Sequence, residues 1–188
     1  MRGIMRHILL ILSLLASGSV LAQTTLHPVS DAVFQKDLYK KASEKAISGG
    51  SPVDGQSFNL ISKGKSVGSF IAGQGFNAQD ADVCFIGWSK AKPGVDTVIP
   101  TIGFDNWEAE TCNGTKSVGI ISADNDAAIK IAVVYEAASP NATADESIIF
   151  SVDNASGDIA LDQDLTAKIG SSGAENIKQL KALYLKNR

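Results

Sequence analysis

Apolar positions along this chain fall into three successive spacings, and each predicts a different element. The first pattern is a dense run, Ile8 to Leu15, interrupted only by Ser13 and preceded by Met1, Arg2, Arg6 and His7. A membrane span needs about 20 apolar residues, so this run is too short to be one. Val20-Leu21-Ala22 then offers the small or apolar residues that a signal peptidase reads, with Gln23 after them. Residues 1–22 therefore read as a secretory signal peptide. The remainder, 23–188, has the length of a single globular domain.

The second pattern has a spacing of four. Residues 23–30 read as an extended lead-in, because Pro28 fits a helix interior poorly. Ser30 can cap a helix that starts just after it. Phe34, Leu38 and Ala42 then share one helical face, with Val33 and Ala46 beside them and Lys36, Lys40 and Lys45 elsewhere. This predicts a helix over 31–48, stopped by Gly49-Gly50.

The third pattern is a series of short apolar runs divided by turn residues. Phe58 to Ile61 and Val67 to Ile71 are strand-like and lie among Gly64, Gly68, Gly73 and Gly75. Val83 to Trp88 is denser and predicts a buried strand, with Trp88 in the core. The stretch 89–115 reads as a long excursion with one strand near 96–102, ending in a turn at Asn113-Gly114. Ser117 to Ser122, Ala127 to Ala137, Glu146 to Val152 and Asp158 to Leu161 are separated by turns at 124–126, 140–141 and 153–157, an antiparallel meander of three or four strands. Ala132, Val133 and Val134 do not alternate with polar residues, which predicts a central strand covered on both faces. Ser172 to Glu175 has the form of a capping box before a last helix whose apolar face is Ile177, Leu180, Leu183 and Tyr184. The fold class predicted is α+β: an antiparallel β-sheet, a meander in its C-terminal half, flanked by an N-terminal and a C-terminal helix.

Charge and cysteines narrow the setting. The chain carries 17 Lys+Arg against 20 Asp+Glu, and loss of Arg2 and Arg6 with the leader makes the product more acidic. An acidic surface gives no basic footprint for nucleic acid and favours encounter with a basic partner. Gln23 stands where a lipidated precursor would have cysteine, and no second long apolar run follows, so no membrane anchor is expected in the mature chain. The two cysteines, Cys84 and Cys112, predict a disulfide in an oxidising compartment, the bacterial periplasm or outside the cell.

Candidate chemistry is sparse. His27 is the only histidine after the leader, so His-dependent triads and His-rich zinc sites lack their parts. Gly73-Gln74-Gly75 is too short for a phosphate or dinucleotide loop. The acidic turns at 124–126 and 153–158 miss the alternation and the glycine of a calcium loop. Asn113, Asn141 and Asn154 match the weak N-glycosylation pattern. No metal or cofactor is expected. The remaining candidates are Phe104, Asp105, Trp107, Glu108 and Glu110, because long loops tend to be functional and a tryptophan among acids suits a hot spot for a basic protein. The competing role for Phe104 and Trp107 is closure of the core. The expected function is binding rather than catalysis, in its most specific form inhibition of, or immunity to, an exported or cell-wall-targeting enzyme. The alternatives are a small carbohydrate-binding or carbohydrate-acting protein, with Trp107 beside Asp105 or Glu108, and an envelope component that pairs through a sheet edge.

Overall fold

The computed structural model describes residues 23–90, 93–104 and 111–187. The predicted leader lies outside the described residues. Within them, β1 (Thr25–Pro28), β2 (Ser48–Ser62), β3 (Lys65–Phe76), β4 (Asp82–Ser89) and β5 (Thr97–Pro100) form one antiparallel sheet in that order. A second antiparallel sheet holds β6 (Thr111–Ile120), β7 (Ala128–Ser139), β8 (Ala142–Asp153) and β9 (Ile159–Leu161). Helix α1 (Gln35–Ser43) belongs to the N-terminal part, and α2 (Gln163–Ile169) and α3 (Ile177–Asn187) to the C-terminal part. The predicted α+β class, with its C-terminal meander and flanking helices, is observed, and the strands divide between two sheets.

Side-chain parity explains how these pieces stack. In β4, Cys84, Ile86 and Trp88 enter a core shared with Ile131, Val133 and Phe150 of the second sheet. The intervening Val83 and Phe85 enter another core, with Phe34, Leu38 and Ala42 from α1 and its approach. Ala132 and Ile149 point away from the shared core and meet Ile169, Leu180 and Tyr184. The order is therefore α1, sheet, sheet, then α2 with α3. Both inner layers are covered on both faces, and this is why Val83 to Trp88 and Ala132 to Val134 carry no polar alternation. Phe70 and Phe150 meet edge to face between the sheets, their centroids 5.6 Å apart.

Small residues set how closely the layers approach. A Cβ at Gly50 would lie 2.4 Å from Ala42 Cβ, and one at Gly87 would lie 2.5 Å from Leu38 Cδ1. The two glycines thus form the bed on which α1 rests. This corrects the predicted helix 31–48, since Gly50 is strand and does not end the helix. A short 3-10 turn, Asp31–Val33, precedes α1, which stops at Ser43. Ala46 takes a left-handed φ of 58°, and Ile47 N–H bonds to Ala42 O at 3.0 Å. That pairing closes a helix end by the Schellman pattern. Val33 and Ala46, expected beside the apolar face, are exposed.

Three other expectations change. Asn113-Gly114 is not a turn: β6 runs through it with a register shift between Cys112 and Gly114. The last helix starts later than the Ser172–Glu175 capping box implies. Asn176 Oδ1 accepts the Gln179 N–H at 3.1 Å and Gln179 Oε1 accepts the Glu175 N–H at 2.9 Å, so a similar reciprocal cap is built four residues on. Helix α2 is an addition. It covers the edge of β8 beyond the reach of β9: Ile149 N–H donates to Thr166 Oγ1 at 3.0 Å and Ser147 N–H to Gly170 O at 3.1 Å. A bare strand edge invites pairing with other chains, and this helix blocks it. The edge strands of the first sheet, β1 and β5, each end in proline, which lacks the N–H that a further strand would need.

Asp162 fastens α2. Its Oδ1 accepts the Leu165 N–H at 3.1 Å, and its Oδ2 receives Lys130 Nζ at 2.6 Å and Ser151 Oγ at 2.9 Å. Burial pulls its pKa up, but the bonds from Lys130, Leu165 and Ser151 outweigh burial and hold it below the usual value. A depressed carboxylate pKa contributes stability above the unfolded value of about 3.9, and the contribution fades as pH falls through the folded pKa. Asp162→Asn is expected to flatten the acid limb of the pH–stability curve while leaving its slope above pH 6 unchanged, as measured by urea unfolding at a series of pH values. An acid limb identical to wild type would contradict this role.

Candidate binding site

The two sheets are tied at one end by the predicted disulfide. Cys84 of β4 and Cys112 of β6 are bonded, with Cα atoms 5.7 Å apart, and both are buried. Beside it opens a cleft of about 390 Å³. Gly49 and Ser51 of β2, Gln74 and Phe76 of β3, Asp82 of β4, Asn113 of β6 and Glu136 of β7 line it, with Cys112 among its walls.

Local chemistry places each group. Gly49 has a φ of +63°, and a Cβ there would come within 3.2 Å of the Phe76 ring, so glycine leaves room for that ring. Phe76, the last residue of β3, remains 45% exposed. The β-bulge at Asn113 breaks the alternation of β6. Asn113 Nδ2 donates to Glu136 Oε1 at 3.1 Å, which orients that carboxylate. Asp82 and Glu136 are exposed, and among the described residues that line the cleft there is no lysine, arginine or histidine.

The sequence-predicted segment starts and finishes at this end of the molecule. Asn77 closes the β3–β4 turn by accepting the N–H groups of Gln79 and Ala81, and its Nδ2 donates to Gly103 O at 3.2 Å. A Cβ on Gly103 would lie 2.9 Å from Asp82 O, so the chain passes directly beside a cleft residue before it reaches Phe104. It returns at Thr111, next to Cys112. Phe104 is half-buried and packs against the core beneath α1, the closing role that competed with partner contact. Asp105, Trp107, Glu108 and Glu110 lie outside the described residues. Trp88 is core as expected, its Nε1 donating to Gly157 O at 2.9 Å.

Asp82, Glu136, Phe76 and Asn113 were not legible as a site. They come from four strands, and no spacing in the sequence connects them. Among the described residues, no three His, Cys, Asp or Glu side chains gather as metal ligands, and no helix is long and apolar enough to cross a membrane. No protein-family model matches the chain, and neither a curated protein nor a solved structure matches it.

A compact polar trio, Lys130, Ser151 and Asp162, has the residue types of a serine–lysine nucleophile. Its geometry argues against that chemistry. Lys130 Nζ donates to Ser151 Oγ and to Asp162 Oδ2, both at 2.6 Å, and the Ser151 hydroxyl donates to Asp162 Oδ2 at 2.9 Å, so the groups are spent on one another. The trio instead fastens α2 to its sheet.

Proposed function

We propose that the protein acts by binding after export, and that its binding end is the disulfide-tied end of the two sheets. The observation that carries this reading is the cleft, where two carboxylates and an exposed phenylalanine converge beside both ends of the acidic Trp107 segment. The opposite end, at the β2–β3 turn and after β4, carries Lys63, Lys65 and Lys90, but Lys90 is paired there with Asp158 and its N–H bonds to Asp96, so that end is of mixed charge. The two carboxylates of the cleft, with no cation among its described lining residues, favour encounter with a basic partner at this end. Exposed aromatic side chains ringed by polar groups are the usual anchors of protein interfaces.

The partner proposed is the basic face of another exported protein, most specifically a cell-wall-targeting enzyme held inactive by this contact. The setting proposed is the periplasm or the extracellular space, where the disulfide persists. The test is capture from periplasmic extract of the producing organism with wild type, Trp107→Ala and Phe76→Ala. The expected result is a defined partner retained by wild type and lost with Trp107→Ala or Phe76→Ala. Equal retention by all three, with unaltered circular dichroism, would place the interface elsewhere.

A further inference from the structure

We infer that the cleft beside the disulfide is a receptacle for one arginine side chain of the partner. This deepens the binding reading above and rests on it. Size is the first constraint on the occupant. The volume, about 390 Å³, falls at the small end of ligand pockets, which run from about 300 to 1,000 Å³. That volume is too small for an element of secondary structure and ample for one long side chain.

The lining selects among side chains. Phe76 lines the cleft with a ring that is 45% exposed, and a flat cation is attracted to such a ring. Glu136 is held by Asn113, so part of its orientation is fixed before anything binds. Asp82, Glu136 and the amide oxygens of Gln74 and Asn113 supply acceptors. A guanidinium is planar, carries five N–H donors and no acceptor, and is more weakly hydrated than an ammonium. It therefore matches both the ring and the acceptors. Lysine would satisfy the charge but not the stacking. An apolar anchor would strand the carboxylates, and an anionic one would be repelled by them.

The alternative occupant with some of the same chemistry is a sugar ring, which also stacks on aromatic faces and bonds to carboxylates and amides. Charge separates the two: no lysine, arginine or histidine is among the described lining residues, and Lys116, the cation that acts on Glu136 from outside the cleft, is bonded to Asp145 at 2.6 Å. The cleft thus attracts a cation more strongly than a neutral ring.

The experiment is a backbone-amide NMR titration of the intact protein with arginine amide, lysine amide and N-acetylglucosamine as separate probes. Arginine amide is expected to give saturable shifts confined to Gly49, Ser51, Gln74, Phe76, Asp82 and their neighbours. Lysine amide should bind more weakly at the same place. Phe76→Ala and Glu136→Gln, both at exposed positions, should each weaken arginine amide by about two- to fivefold, with the remaining spectrum unchanged. Added salt should weaken it further. Saturable shifts from N-acetylglucosamine with none from arginine amide would overturn the inference in favour of a saccharide. No cleft shifts from any probe, with partner capture still lost in Trp107→Ala, would overturn the arginine receptacle and leave the binding reading standing. No shifts and no dependence of capture on Trp107 or Phe76 would overturn both.

Discussion

Trp88→Ala is expected to destabilise the protein by about 3–5 kcal/mol, read as a shift in the urea midpoint with little change in slope. Trp88 is 1% exposed and lies between the sheets. A Cβ on Gly68 would sit 2.4 Å from the indole, so strand β3 has been cut back to admit the ring. The substitution removes a large apolar surface and leaves a cavity that the paired strands cannot close. It also strips the Gly157 carbonyl of its buried donor. Gly157 sits in the turn that joins β8 to β9, so the damage should extend to the pairing of Phe150 to Val152 with β9. Hydrogen exchange should quicken there before it does at β2. A loss under 1 kcal/mol would mean that the interior between the sheets is not packed on this ring.

The paired substitution of Cys84→Ala with Cys112→Ala is expected to cost about 3–4 kcal/mol by the chain-entropy argument, given a sequence separation of 28. Its effect on the native state should be local. The bridge is one of the joints between β4 and β6, and Cys112 also lines the cleft. Partner capture should therefore weaken in the double variant even at temperatures where it stays folded. A thiol titration of unfolded, unreduced wild type should find no free thiol. Two free thiols would refute the bridge.

Some of this architecture can be read from the chain because burial on both faces leaves a residue-level mark. Val83 to Trp88 and Ala132 to Val134 lack polar alternation, and these strands lie inside the stack of layers. The pair of cysteines and the face of Leu180 and Tyr184 were legible for similar reasons, the first by compartment and the second by period. The division into two sheets leaves no such mark, because an inward side chain looks the same whether a helix or a sheet covers it. Helix boundaries failed where two devices compete. Gly49-Gly50 resembles a stop, but Gly50 seats α1 and Gly49 makes room for Phe76, while Ala46 takes the left-handed conformation without being glycine. Ser172-x-x-Glu175 and Asn176-x-x-Gln179 offer the same cap, and only the second is used. Helix α2 is too short for its period to stand out.

The binding end shows the same division. The sequence singled out a tryptophan among acids between the cysteines, which required only local composition. It missed Phe76, Asp82, Asn113 and Glu136 because strand pairing and a bulge bring them together. Phe104 was legible with two competing roles, partner contact and core closure, and its packing under α1 fits the second.

If binding belongs to the disulfide-tied end, crosslinking should find a partner there and not at the opposite end. A photo-crosslinking phenylalanine analogue is placed at position 76 in one protein and at position 63 in another, each produced in the native host and irradiated. Position 76 is expected to yield a discrete crosslinked partner, diminished when Glu136→Lys is added, and position 63, at the lysine-bearing end, none. A partner crosslinked at position 63 and absent at position 76 would contradict a binding role for the cleft.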